Sequence, residues 1–114
     1  MNRWFKVAGS EITEELEALK GFLFDTQEEI IEVEKVDRKD IDTPKVNGKT
    51  VRDHINDLHN KLVEKLSDFK FENNKVFFKQ FDITNDEVLR KNVSKLFSKL
   101  IQLDQKLLAI LKAF

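Results

Sequence analysis

Leu89, Val93, Leu96, Leu100, Leu103, Leu107, Ile110 and Phe114 follow one another in unbroken steps of four and three. That spacing puts every one of these apolar residues on one side of an α-helix and repeats every seven residues. The same rhythm, with one polar slot at Thr26, runs through Ile12, Leu16, Leu19, Leu23, Ile30 and Val33. It returns in Val51, Ile55, Leu58, Leu62 and Leu66. A chain patterned this way is mainly α: three long amphipathic helices that bury their apolar lines against one another, as a helical bundle or coiled coil. One Pro and three Gly in 114 residues fit a few long elements better than many short strands.

Punctuation places the ends within a single domain, 1–114. An N-terminal arm, 1–9, precedes a first helix read as 10–38, with Ser10 as N-cap and glutamates in the first turns. Gly21 is its weak point; one kinked helix is preferred, against a break at which Asp25 caps a second segment and Glu28 completes the box. Pro44 and the Asn47-Gly48 pair mark a loop, 39–49. Thr50, with Asp53 at the third position, then caps a second helix, 50–68. The third helix, 85–113, opens on a T-x-x-E box formed by Thr84 and Glu87.

Between the second and third helices, five of the ten phenylalanines crowd into "DFKFENNKVFFKQF", 68–81. With Asn73-Asn74 as a two-residue turn, Glu72 pairs with Lys75, Phe71 with Val76 and Phe69 with Phe78. Asn tolerates the positive φ such a turn demands. The register gathers Phe69, Phe71, Val76 and Phe78 on one face of a small β-hairpin. A two-stranded ribbon is marginal alone in water, so that face must be covered. "RWFKVA", at 3–8, is the candidate third strand, or packs there through Trp4 and Phe5.

Charge sorts by helix although Lys+Arg (20) nearly balances Asp+Glu (21). The first helix carries nine acids from Glu11 to Glu34 against Lys20 and Lys35. The third carries Arg90, Lys91, Lys95, Lys99, Lys106 and Lys112 against three acids. Opposite charges beside apolar lines select which helices pair, so the first and third are expected to be neighbours. The third helix bears a second apolar line, Phe97, Ile101, Leu108 and Leu111, and therefore meets neighbours on two sides.

Absence of Cys excludes disulfides, thiolate metal sites and a cysteine nucleophile. No 18-residue apolar run and no signal-peptide pattern occurs, so a soluble, cytoplasmic product is expected. No catalytic, cofactor-binding or metal-ligating residues are assigned. His54 and Asp57 share a helix face, but His59 points elsewhere, so a two-histidine metal site is missing. Glu29 and Glu32 form an E-x-x-E that resembles the first half of the Mg²⁺ site of all-α nucleotide pyrophosphohydrolases. The second half departs from it, since Asp53 is followed by Asn56 and Asp57. That resemblance implies the enzyme alternative. The lysine line Lys91, Lys95, Lys99 and Lys106 suits a phosphate backbone, but its aromatic neighbours lie on the apolar face, so nucleic-acid binding ranks below a protein partner. A membrane surface ranks lower again.

"DTPKVNGKTVRDHINDLHN", Asp42 to Asn60, resembles segments of tail, baseplate and appendage proteins of phages infecting Gram-positive bacteria. The similarity rests on "VNGKTVRDHI", a turn leading into a capped helix, and implies a structural subunit of a symmetric virion. The expected function is a non-enzymatic structural or interaction subunit that self-associates through the third helix and the hairpin. Its candidate partner-binding residues are Phe69, Phe71, Phe78, Phe97, Ile101, Leu108, Leu111 and Phe114.

Overall fold

The computed structural model describes the backbone of residues 2–44 and 47–113 and the side chains of 11–44 and 47–113. Three helices dominate: α1 (Asn2–Glu34), α2 (Val51–Leu66) and α3 (Glu87–Ala113). Between α2 and α3 lie three antiparallel strands in the order β1 (Phe69–Glu72), β2 (Lys75–Phe78) and β3 (Phe81–Asp82). Among the described residues, no helix is long and apolar enough to cross a membrane.

The apolar lines become the core. Ile12, Leu16, Leu19, Leu23, Ile30 and Val33 of α1 are buried with Val51, Ile55, Leu58 and Leu62 of α2 and Val93, Leu96, Leu100 and Leu107 of α3. Thr26, the polar slot, is buried too. Among the described residues, no buried side-chain polar atom lacks a hydrogen-bond partner.

Cross-links give the helix directions. Glu15, early in α1, holds Lys79 beside the sheet at 2.6 Å, and Glu34, at its end, meets Lys106 of α3 at 3.7 Å. α1 and α3 therefore run parallel. Lys65, late in α2, lies over the ring of Phe22, 5.4 Å from its centroid. Val51 and His54, early in α2, line one hollow with Glu29 and Val33, so α2 runs antiparallel to both. α3 packs against α1 and α2, whereas α1 and α2 meet least. The expected neighbours, α1 and α3, are in contact, and α3 is the shared element. With α1 rising about 50 Å, the chain spans 60 × 29 × 18 Å. Its radius of gyration is 17.4 Å, against about 13 Å for a compact chain of this length.

Several boundaries differ from expectation. The 1–9 segment is not an arm: α1 begins at Asn2, so Ser10 is an interior residue rather than an N-cap, and "RWFKVA" is helix rather than strand. Extending a formed helix adds one hydrogen bond per residue ordered, so no fresh start is needed at Ser10. Gly21 neither breaks nor ends α1. A Cβ there would meet nothing within 4 Å, so Gly21→Ala is expected to raise stability by about 1 kcal/mol in urea unfolding.

α1 also stops at Glu34, short of Arg38. Its last turn tightens through Lys35 N–H to Glu32 C=O and Val36 N–H to Val33 C=O, at 3.2 and 3.1 Å. Asp37 then turns extended (φ −66°, ψ 145°) ahead of a 3₁₀ turn, Arg38–Asp40. This exit carries Ile41 into the core at 4% exposure. Arg52 fastens the loop by donating its N–H to Ile41 C=O at 3.1 Å and its guanidinium to Asp42 at 2.9 Å. Gly48 supplies the left-handed step (φ +79°) that leads into α2.

The capping box at α2 forms as expected. Thr50 Oγ1 accepts from Asp53 N–H and Asp53 Oδ2 accepts from Thr50 N–H, both at 3.1 Å. At α3 the expected Thr84–Glu87 box is replaced by Asp86, whose carboxylate accepts from Leu89 N–H at 3.1 Å. Thr84 is already committed to the sheet. Its hydroxyl accepts from Val76 N–H at 3.0 Å and donates to Asp82 at 2.6 Å. That bond, with Thr84 N–H donating to the same carboxylate, holds the Asp82 carboxyl below the usual range.

The hairpin has the expected register, with Phe69 opposite Phe78, Phe71 opposite Val76 and Glu72 opposite Lys75. Asn73 and Asn74 both take positive φ, 51° and 63°. The third strand is β3, whose Phe81 pairs with Phe78. Reaching it costs a left-handed lysine, Lys79 at φ 54°. Two bonds offset that strain: Lys79 N–H donates to Asp68 C=O at 2.7 Å, and Nζ donates to Glu15, which raises the lysine's pKa.

Candidate functional site

The flank of α3 that carries the second apolar line faces the sheet and α2. Near its start, Phe97 receives the hairpin, its ring centroid 5.2 Å from Phe69 and 4.9 Å from Phe71, the latter edge-on. Phe69 also meets Phe78 at 5.2 Å. Tilted pairs at such separations are favourable beyond simple area burial. One turn further along the same flank as Ile101, Asp104 meets His59 of α2 at 2.5 Å. The aromatic cluster thus fastens the sheet to α3, and the His59–Asp104 pair fastens α2 beside it.

The predicted partner residues separate by exposure. Phe78, 1% exposed, is core rather than contact surface, a correction that follows from its place on the central strand, β2. Phe69, Phe97, Ile101 and Leu111 are half-buried, and Phe69 and Leu111 pack against the core. Phe71 and Leu108 remain open at 43% and 38%. Phe114 lies outside the described residues.

The acidic candidates lie in different settings. Glu28, Glu29 and Glu32 line a hollow with His54, over Val33, Val36 and Val51. Asp53 is held in the helix cap, and Asp57 is paired with Lys49 at 2.9 Å. The Lys49 hydrogen bond and charge pull the Asp57 carboxyl below its ordinary pKa. Among the described residues, no three His, Asp or Glu side chains converge as a metal-ligand set.

The other flank of α3 forms an open groove with α1, about 680 Å³ in volume. Leu23, Leu96 and Leu103 give it an apolar base, and Lys20, Lys99 and Lys106 line it. Phe24 stands at its edge, 65% exposed. Seven residues along α1, and so on the same helix face, Ile31 is 37% exposed. Sequence reading passed over this groove because Phe24 and Ile31 lie off the apolar line; the available signal was their seven-residue separation. The His59–Asp104 pair carries no local signal in the sequence, since its partners lie 45 residues apart. No protein-family model, curated protein or solved structure matches the chain.

Proposed function

We propose that this chain is a non-enzymatic structural or interaction subunit that self-associates through α3 and the Phe-rich hairpin. The observation that carries this reading is the unequal treatment of the second apolar line. The hairpin covers Phe97 only in part, Ile101 is half-buried, and Phe71 and Leu108 stay open at the two ends of that flank. Exposed aliphatic and aromatic side chains set among half-buried ones form the usual core of a protein contact. The resemblance of Asp42–Asn60 to phage tail, baseplate and appendage segments supports placing the subunit in a symmetric virion. In this chain that stretch supplies the Gly48 turn, the Thr50 cap and the first part of α2.

Light scattering coupled to gel filtration tests the reading. The wild-type chain should elute as a discrete oligomer of its 13.4 kDa protomer. Phe71→Glu with Leu108→Glu should lower that mass while far-ultraviolet circular dichroism stays unchanged. Leu111 is left alone because it packs against the core and would report on folding. A wild-type chain that elutes as a 13.4 kDa monomer at every concentration overturns the proposal.

A further inference from the structure

We propose that the α1–α3 groove docks an acidic amphipathic helix of another protein. That helix lays its apolar line on the base of the groove and sets carboxylates against lysines on both walls. The face is separate from the Phe71–Leu108 flank, and the inference does not rest on self-association.

The lining of the groove carries the argument. Lys20 stands on the α1 wall and Lys99 and Lys106 on the α3 wall, and no carboxylate lines the groove among the described residues. Lys99 has no ion-pair partner within 4.0 Å among the described residues. Lys20 and Lys106 each hold one glutamate from outside the lining, Glu17 at 3.3 Å and Glu34 at 3.7 Å. These four side chains are all 45% exposed or more. Pairs so open to water hold weakly, so both ammonium groups can turn to an incoming carboxylate. Between the walls, Leu23, Leu96 and Leu103 form the base, and Phe24 stands at its edge. Ile31 extends that apolar edge by two turns of α1. An apolar strip with cations on both sides is the complement of a helix whose apolar line is flanked on both sides by Asp or Glu.

Shape and surroundings select a helix over other anions. From Leu96 to Lys106 the α3 wall is about 15 Å long, roughly three helical turns. On the far side of α1, Glu28, Glu29 and Glu32 line a separate hollow, and Glu14 and Asp25 are exposed. A membrane surface or a long nucleic acid laid over the groove would carry its phosphates across those carboxylates. A helix seated between the walls does not. Phe24 is also the lone aromatic of the lining, where a run of bases needs successive rings to stack on. This chain has an acidic helix of its own in α1, but the apolar line of α1 is buried in the core. The occupant is therefore a helix of a different protein.

A designed peptide tests it: a fluorescein-labelled helix of about 18 residues, with leucines at helical spacing and glutamates on both sides of them. Fluorescence anisotropy with the full chain should show saturable binding. Lys99→Glu and Phe24→Ala should each weaken it roughly tenfold or more. Both side chains are exposed, so circular dichroism should stay unchanged. Phe71→Glu with Leu108→Glu should leave peptide binding at wild-type strength whether or not it lowers the mass, which separates failure here from failure of self-association. No saturable binding at millimolar peptide overturns the inference. So does undiminished binding in either groove variant, or equal binding of a peptide of the same composition with its leucines dispersed. Tighter binding of oligothymidylate or phosphatidylglycerol vesicles than of the peptide would give the groove to a phosphate-bearing partner instead. A lower mass for Phe24→Ala than for the wild type would give it to a second copy, and either result sinks the acidic helix.

Discussion

Phe78→Ala is expected to lower the unfolding free energy by about 3–5 kcal/mol, a large share of the roughly 5–15 kcal/mol that holds a domain of this size together. Phe78 is 1% exposed on the central strand. It pairs with Phe69 on one side and Phe81 on the other, so truncation empties the point where the sheet meets the helices. Two other supports stay in place, the Lys79–Glu15 pair and the Phe97 cluster. The loss should therefore appear as a lower urea midpoint with an unchanged slope, the mark of one cooperative unit. Phe71→Ala is the matched control. At 43% exposure it should cost about 1 kcal/mol or less. Equal losses at the two positions would show that the hairpin is not anchored through Phe78.

Leu100→Ala is expected to cost about 2–5 kcal/mol in the same measurement. Leu100 is 0% exposed midway along α3, the helix that touches both others, so the cavity opens where neither α1 nor α2 can close over it without leaving the other. Leu108, two turns later, is 38% exposed. Leu108→Ala should stay within about 1 kcal/mol in dilute protein. If Leu108 belongs to a contact between copies, its cost should grow with protein concentration, because assembly stabilises the folded state by mass action. A Leu108 effect that is small and independent of concentration would count against the proposed use of that flank.

Features governed by neighbours a few residues apart were legible in the sequence. The three apolar lines, the Asn73-Asn74 turn with its register and the Thr50–Asp53 box all depend on groups within one or two helical turns or across a two-residue loop. The Thr84–Glu87 box obeyed the same local grammar and still failed, because Thr84 lies next to a strand edge where Val76 offers its hydroxyl a backbone partner eight residues away. Local rules count donors and acceptors within reach along the chain; they do not register competitors that folding brings close.

The candidate surface was legible only as a list. The second line of α3 and the hairpin aromatics were visible as surplus apolar residues, but their burial was not. Phe78 went fully into the core, Phe97 became the seat of the hairpin, and Leu108 was left open. The seven-residue separation of Phe24 and Ile31 was visible, but not the groove that Phe24 edges, which exists only where α1 and α3 lie parallel.

The sequence by itself determined that the chain forms amphipathic helices, where the hairpin turns, and that acid and base segregate to different helices. Each of these follows from residue type and spacing along the chain. The tertiary structure alone decided that α1 ends at Glu34 so that Ile41 can be buried, that Phe81–Asp82 supplies the third strand, and that His59 meets Asp104. It also decided which flanks of α3 stay open. The His59–Asp104 pair joins groups 45 residues apart, and the Lys79–Glu15 pair that holds the turn into the third strand joins groups 64 apart; their meeting depends on how whole helices pack rather than on any local preference.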